Sequence, residues 1–279
     1  MPVLLALLFD ERPRPLVPYE WSWSLHPTVF LGTGLLGALY VWGLRRRRAL
    51  GPPVPAWQVL CFFAGLLVIL LSLNGPMHDL SDYYLFSAHM LQHLLLTLLL
   101  PPLLIAGTPG WLLSPLLRHP AALAVARTLT KPVVAAVLYT VTIAVWHLEP
   151  FYDLMMRSHD VHIVTHLMFM VTATIMWWPV MSPVPELPRL TPGVGMLYLF
   201  LVGIPMQLVA ALITLSDDLL YPWYSAAPRT FGLTPLDDQA LGGLLMWVPG
   251  NLWMFLAIGV LFFRWARESE REGTASGSP

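Results

Sequence analysis

Long apolar runs separated by short polar segments dominate the pattern of this chain. Seven of the runs approach or reach the length of about 20 residues that a helix needs to cross a bilayer. They cover residues 27–44, 57–73, 84–105, 133–146, 161–178, 194–215 and 241–264. Proline and glycine near their ends are typical helix boundaries. The pattern therefore predicts an all-α polytopic membrane protein with seven transmembrane helices.

The two ends of the chain differ from these runs. Residues 1–24 begin with a short apolar stretch that Asp10 and Glu11 close, which favours a periplasmic or interfacial segment. Residues 25–265 form the predicted seven-helix transmembrane domain. The polar residues 266–279 are predicted to form a disordered cytoplasmic tail.

Several breaks within the chain are predicted as well. Residues 77–82 and 147–153 are expected to be loops. Pro101 and Pro102 should bend or end the third span, because proline disrupts the interior of a helix. The sequence Trp177-Trp178-Pro179 predicts an aromatic anchor at the membrane interface together with the end of the fifth span.

Composition agrees with a membrane protein and excludes several other classes. The chain of 279 residues is 57% hydrophobic and only 11% charged, and its formal net charge of -1 does not favour nucleic acid. Its one cysteine, Cys61, excludes an intramolecular disulfide and a Cys-x-x-Cys metal site. Motifs for a zinc protease, a serine hydrolase, a P-loop or a dinucleotide site are missing from the sequence.

The distribution of basic residues predicts the orientation in the membrane. With the amino terminus outside, 11 of the 15 lysines and arginines fall in inside segments, as the positive-inside rule requires. The carboxy terminus is then inside. Histidines were not part of that count, and yet eight of the nine fall on the outer side; only His119 is inside.

Two pairs of histidines lie at similar depth near the outer ends of two spans. His89 and His93 are four residues apart in the third span, and His162 and His166 are four apart in the fifth. This spacing places each pair on one helix face, and ionisable residues inside spans are functional-site candidates. Imidazole binds copper, zinc, iron and nickel, so the four histidines are the primary predicted metal ligands.

Four further outer histidines are secondary ligand candidates. These are His26, His78, His147 and His159. Methionine is a softer ligand for monovalent copper, and four methionines also lie on the outer side, although methionine more often fills the core of a bundle. The sequence therefore predicts a metal site that faces the periplasmic or extracellular side.

Several segments of the sequence resemble one known family. They are Ser87-Ala-His89-Met90-Leu-Gln92-His93 with the following Pro101-Pro102, then Trp146-His147-x-x-Pro150-x-Tyr152-Asp153, then His162-x-x-x-His166 running to Trp177-Trp178-Pro179, and Trp23-x-x-His26-Pro27. The chain is similar in these motifs, over about residues 20–265, to the CtaG-type cytochrome c oxidase assembly factors of bacterial cytoplasmic membranes.

The resemblance implies a non-enzymatic protein of the bacterial cytoplasmic membrane that is needed to make active haem-copper oxidase. Its expected cargo is copper, with zinc as the alternative metal. Its expected partners are haem-copper oxidase subunits or a periplasmic copper carrier, together with the lipid bilayer.

Two alternatives remain open at the level of sequence. The same histidines could hold a catalytic zinc ion with a bound water, as in a membrane-embedded zinc hydrolase. Histidines on facing helices could instead supply two axial ligands to a haem.

Overall fold

The computed structural model describes residues 18–21, 23–47 and 52–276. Over these ranges the chain is helical and has no strand. Most of the predicted segment 1–24 lies outside the described residues. The helices are α1 (Pro27–Arg47), α2 (Ala56–Ser72), α3 (Gly75–Tyr84), α4 (Phe86–Gly107), α5 (Gly110–Leu113), α6 (Pro120–Leu129), α7 (Pro132–Trp146), α8 (Glu149–Arg157), α9 (His159–Met181), α10 (Pro192–Thr214) and α11 (Pro235–Ser276). Short 3-10 turns cover Ser114–Arg118 and Pro222–Ala226.

Five of these helices are long and apolar enough to cross a bilayer, namely α1, α4, α9, α10 and α11. Two bent pairs also qualify when each is taken as one span: α2 with α3, bent by 52°, and α6 with α7, bent by 67°. The chain is thus a multi-pass membrane protein with five to seven spans. The count of seven and the orientation stay predictions.

Proline marks the start of many of the helices. A proline is the first residue of α1, α6, α7, α10 and α11. At this position its fixed φ suits the helix, and its missing N–H is one that no helical carbonyl would have accepted. The prolines of the sequence therefore set the boundaries of the bundle.

The core lies where α4, α7, α9, α10 and α11 meet. α10 packs along α11, while α4 packs against α11 and α9 packs against α7 and α4. α4 is the most buried of the five long spans. α1 lies at the edge and rests on α2, where the rings of Tyr40 and Phe62 stack with 3.8 Å between their centres.

α4 changes geometry in its middle. Leu95–Leu99 forms a π-helical turn just before Pro101. Pro101 has no N–H to donate to the carbonyl of Thr97, and that carbonyl instead accepts the Nε1 hydrogen of Trp177 at 3.0 Å. The π turn and the tryptophan allow the span to continue to Gly107 despite two prolines.

This contact overturns one prediction from the sequence. α9 does not end at Pro179 but continues to Met181, and Trp177 is only 2% exposed. Trp177 therefore serves as a buried hydrogen-bond donor between two helices and not as an interface anchor.

Four other segments differ from expectation. Residues 77–82 and 147–153 lie mainly in α3 and α8 and not in loops. The third span begins at Phe86, because Leu85 adopts an extended backbone that separates α3 from α4. α11 continues to Ser276, past the predicted start of the tail at residue 266.

Candidate metal centre

α4 is held at its amino terminus by a carboxylate from another helix. Asp238 of α11 accepts hydrogen bonds from the backbone N–H groups of Phe86 at 2.7 Å and Ser87 at 3.1 Å, and from the Ser87 hydroxyl at 2.5 Å. A negative charge at a helix amino terminus also complements the helix dipole. These bonds fix the first turn of α4, immediately before His89.

His89 and His93 lie one turn apart on the buried side of α4. Their ring centres are 4.3 Å apart, and the side chains are 0% and 4% exposed respectively. The Nδ1 atom of His89 lies 3.2 Å from the carbonyl oxygen of Ser81. A carbonyl only accepts, so this contact assigns the proton to Nδ1 and leaves the lone pair on Nε2.

The second pair on α9 repeats this arrangement. His162 and His166 are both buried, with ring centres 4.3 Å apart and their Nε2 atoms 3.1 Å apart. Ser158 caps the amino terminus of α9, and its hydroxyl accepts the N–H of Val161. At this distance one Nε2 can donate a hydrogen bond to the other, and the two polar ring edges lie side by side.

The two predicted pairs meet in space. The ring centre of His89 is 5.4 Å from that of His162 and 5.9 Å from that of His166, and His93 is 5.5 Å from His166. Ligand atoms of His89, His93 and His166 all lie within 4.8 Å of one another. Three neutral imidazoles in this arrangement can hold a transition-metal ion.

His93 is the least satisfied residue of the cluster. Both of its ring nitrogens are buried, and neither has a hydrogen-bond partner among the described residues. A buried polar group without a partner costs about 1–3 kcal/mol, and a metal ion bound to one nitrogen of His93 would remove that cost for the nitrogen it binds. The position of His93 thus fits a metal ligand better than a packing residue.

One secondary candidate, His147, joins the cluster. Its ring centre is 5.7 Å from that of His93, and its Nδ1 donates to the carbonyl of Ile143 at 2.7 Å. Burial lowers the pKa of His147 to about 4, partly offset by this bond, so the ring is neutral. Its Nε2 is buried without a partner among the described residues. A carbonyl on the opposite nitrogen is the common support of a metal-binding histidine.

The other three secondary candidates lie outside the cluster at the edge of a cavity of about 450 Å³. The rings of His26 and His78 meet edge to face at 4.3 Å, while His159 is exposed. Burial and the neighbouring His78 lower the pKa of His26. The same cavity is also lined by His162 and His166, so it connects these histidines with the cluster.

Sequence reasoning missed one residue of the site, Asp82. It was assigned to a loop, but α3 places it one helical turn after His78, and its side chain is 1% exposed. One carboxylate oxygen, Oδ2, lies 3.4 Å from His78 Nε2 and 3.5 Å from His162 Nδ1. The four-residue spacing from His78 was the signal in the sequence that could have identified it.

Two tyrosine hydroxyls and one tryptophan N–H hold this end of α3 in place. Tyr224 donates to the carbonyl of Ser81 at 2.6 Å, Tyr152 lies 2.9 Å from the Tyr224 hydroxyl, and Trp223 donates to the carbonyl of Asp82. The pKa of Tyr152 is raised well above its usual value, mainly by burial and also by the nearby Tyr224. The hydroxyl therefore keeps its proton. These bonds position the backbone that carries Asp82.

Three of the outer methionines, Met90, Met155 and Met156, pack in the buried part of this end. Met90 lies on α4 next to Gly242 of α11, where a Cβ on that glycine would come within 3.2 Å of Met90 Cγ. Met155 and Met156 are fully buried members of the apolar core. Among the histidine, cysteine and acidic residues that the structure describes, those grouped closely enough to hold an ion are four imidazoles and one carboxylate.

The fold and the site together define a multi-pass helical membrane protein with a buried histidine cluster at one end. The family model for the cytochrome c oxidase caa3 assembly factor (Caa3_CtaG) matches residues 38–268. The chain therefore belongs to this family of cytochrome c oxidase assembly factors, as its motifs predicted.

Similar proteins occur in mycobacteria. The chain is 24% identical over 286 residues to an uncharacterized protein of Mycobacterium leprae, and 25% identical over 280 residues to uncharacterized proteins of Mycobacterium bovis and Mycobacterium tuberculosis. Each alignment covers 94% of this chain and 42% of the relative, so the chain spans less than half the length of these relatives. No solved structure gives a significant match.

Proposed function

We propose that this family member binds copper at the histidine cluster and delivers it to a haem-copper oxidase during assembly. His89, His93, His162 and His166 are the primary ligands, and His147 is a reserve ligand. The protein carries out no reaction of its own. Its partners are an oxidase subunit or a copper carrier on the periplasmic or extracellular side of the bacterial cytoplasmic membrane.

The observation that carries this proposal is the state of His93. Its two buried ring nitrogens have no hydrogen-bond partner in the described part of the chain, although His89, His166 and His147 surround it. A purely structural histidine in a span would be expected to donate and accept hydrogen bonds. A bound ion accounts for both the burial and the convergence.

A delivery protein must also release its cargo. The pairs of rings provide more imidazoles than a three-coordinate ion needs, so one ligand can be exchanged for another without leaving the ion bare. The cavity beside His162 and His166 gives a carrier access to the cluster. Both features support transfer of the ion to a partner protein over permanent storage.

Metal analysis of the purified protein tests the site. We expect the wild type to retain copper, and His93→Ala to lose most of it. His119→Ala is the matched control, because His119 is exposed and precedes α6, far along the chain from the cluster. Equal copper content in wild type and His93→Ala would refute the site.

The same preparation distinguishes the alternatives. Tightly held zinc, with no exchange for copper, would favour a zinc hydrolase. An absorption band of haem in the visible spectrum would favour the haem protein. Copper bound in a form that a chelator can compete away supports delivery.

A cellular assay tests the role in assembly. In a host whose own copy is deleted, we expect the wild-type chain to restore haem-copper oxidase activity and His93→Ala to fail, at equal amounts of protein in the membrane. Rescue of the variant by added copper salt would indicate that the cluster serves copper supply. Full activity with His93→Ala would contradict the role.

The predicted orientation can be tested with single cysteines in a Cys61→Ser background. Asp160 and His119 are both exposed, and they lie at positions predicted to face opposite sides. We expect Asp160→Cys, but not His119→Cys, to react with a membrane-impermeant maleimide in intact cells. The reverse labelling pattern would overturn the orientation.

A further inference from the structure

A second group of ligand atoms lies beside the three-histidine site. Ligand atoms of Asp82, His89 and His162 are all within 4.8 Å of one another. This group shares His89 with the first group, and it contains the one carboxylate among these buried ligands. The two groups are therefore adjacent positions for an ion and not separate sites.

His162 lies between the two positions. Its Nδ1 faces Asp82 Oδ2 at 3.5 Å, and its Nε2 faces His166 Nε2 at 3.1 Å. One edge of the ring thus belongs to the carboxylate group, and the other edge contacts a ligand of the three-histidine group. A ligand that contacts both positions lowers the barrier to movement between them, because the ion need not lose all its ligands at once.

Asp82 is oriented for this role by its neighbours. The Ser81 hydroxyl donates to Oδ1 at 3.3 Å, while Oδ2 is directed at His78 and His162. Placing an ionised carboxylate in a buried site is costly unless a cation or a donor compensates it. Oδ2 is thus the atom of Asp82 that a divalent cation would contact, and the cation would neutralise the charge of the carboxylate.

The side cavity reaches one histidine of each group. It lies between α1, α2 and α9, and five histidines contribute to its lining: His26, His78, His159, His162 and His166. Two of these residues, His78 and His162, contact Asp82 directly. His93 does not line the cavity. An ion in the cavity therefore meets His162 of the carboxylate group and His166 of the three-histidine group. The charge of Asp82, which contacts two of the lining residues, favours the carboxylate group as the first to bind it.

We propose that Asp82, His89 and His162 form a loading position, where a divalent cation first binds before it moves to His89, His93 and His166. This inference rests on the proposed function of the cluster. The carboxylate supplies the charge that attracts the ion, and the neutral imidazoles of the inner position supply the ligands that retain it. The move is a ligand exchange in which Asp82 and His162 are replaced by His93 and His166, with no change of oxidation state.

Zinc is the probe that separates the two positions, because it is divalent and has no redox chemistry. We expect wild-type protein in lipid nanodiscs to bind zinc tightly. His93→Ala should still bind it, but roughly 10- to 100-fold more weakly, at the loading position. Adding Asp82→Asn to His93→Ala should abolish the remaining binding.

The rate of binding gives a second readout. Asp82→Asn alone should leave the final affinity for zinc within a few-fold of wild type, since Asp82 is not a ligand of the inner position. Its association rate should fall by roughly 10-fold or more, because the charge that concentrates cations is gone. Asp79→Asn is the matched control: Asp79 lies on the same helix, its Oδ1 accepts from Ser24 at 2.6 Å, and both rate and affinity should remain at wild-type values.

The outcomes distinguish this inference from the function on which it rests. If the wild type binds neither zinc nor copper, the proposed function fails. If the wild type binds but the residual zinc site of His93→Ala survives Asp82→Asn, the loading position is wrong while the cluster stands. An unchanged association rate in Asp82→Asn would likewise overturn the loading position.

Discussion

The two halves of α4 use their polar groups in opposite ways. In the carboxy-terminal half, the carbonyl that Pro101 leaves without a partner is bound by Trp177, and the Thr97 hydroxyl donates to the carbonyl of His93 at 2.7 Å. In the amino-terminal half the backbone is equally well bound, by Asp238, but both ring nitrogens of His93 are without partners among the described residues. Polar atoms of the carboxy-terminal half stabilise the fold, whereas those of His93 in the amino-terminal half are available to bind a ligand.

This contrast shows how a site can be distinguished from a structural polar contact in a bundle. Both halves are buried and both carry side chains that are costly in lipid. Only the amino-terminal half of α4 carries several imidazole rings. These rings lie close together, yet they do not satisfy all of one another's polar atoms.

The largest effect concerns ligand-dependent stability at the histidine half. Addition of copper at about 100 times its dissociation constant should stabilise the wild type by about 2.7 kcal/mol, because the ion binds only the folded protein. His93→Leu should lose this stabilisation. Without metal the variant should be at least as stable as the wild type, since it removes buried polar atoms that have no partner. Thermal unfolding with and without copper measures both; a variant that keeps the copper-induced shift would show that His93 is not a ligand.

The next effect concerns the carboxylate that anchors this half. Asp238→Asn should reduce the free energy of unfolding by about 2 kcal/mol, because hydrogen bonds to a charged acceptor are replaced by weaker ones and an amide N–H faces the N–H groups of Phe86 and Ser87. Asp237→Asn is the control, since Asp237 is exposed next to it on α11. Urea unfolding in detergent micelles measures the difference. Equal stability of the two variants would mean that Asp238 does not anchor α4.

The smallest effect concerns the structural half. Trp177→Phe should cost about 1 kcal/mol, because the carbonyl of Thr97 loses its donor while the apolar ring is largely kept. Trp178→Phe is the matched control: its Nε1 has no partner within the described residues, so its loss should change stability little. Copper content should be unchanged in both variants. Loss of copper in Trp177→Phe with normal stability would show that the two halves are coupled and not independent.

Much of this architecture could be predicted from local pattern alone. The apolar runs give the spans, since length and hydropathy decide whether a helix can lie in lipid. The i, i+4 spacing of His89 with His93, and of His162 with His166, gives a common face within each pair. Equal depth then predicted that the pairs meet, and the rings do lie 5.4–5.9 Å apart across the two helices.

The parts that were missed depend on contacts between distant segments. Asp238 binds α4 from a helix about 150 residues further along the chain, and no local pattern marks that pairing. Trp177 was assigned to the interface because tryptophan is common there, but the carbonyl released by Pro101 supplies a buried acceptor for it. The sequence predicts a loop at Asp82, but the structure places it in α3, which the extended residue Leu85 separates from α4.

The face of α4 that carries His89 and His93 continues, toward the carboxy-terminal end of the helix, with Thr97 and Pro101. One turn beyond His93 on that face is Thr97, whose hydroxyl is occupied by a backbone carbonyl, and one turn beyond that is Pro101, which has no polar side chain. Along this stripe of α4 the coordinating groups are confined to the one turn between His89 and His93, a rise of about 6 Å. An ion bound there would leave by the end at which it arrived. The direction of exchange would then depend on which partner binds the metal more tightly, and the voltage across the membrane would perform little work on it.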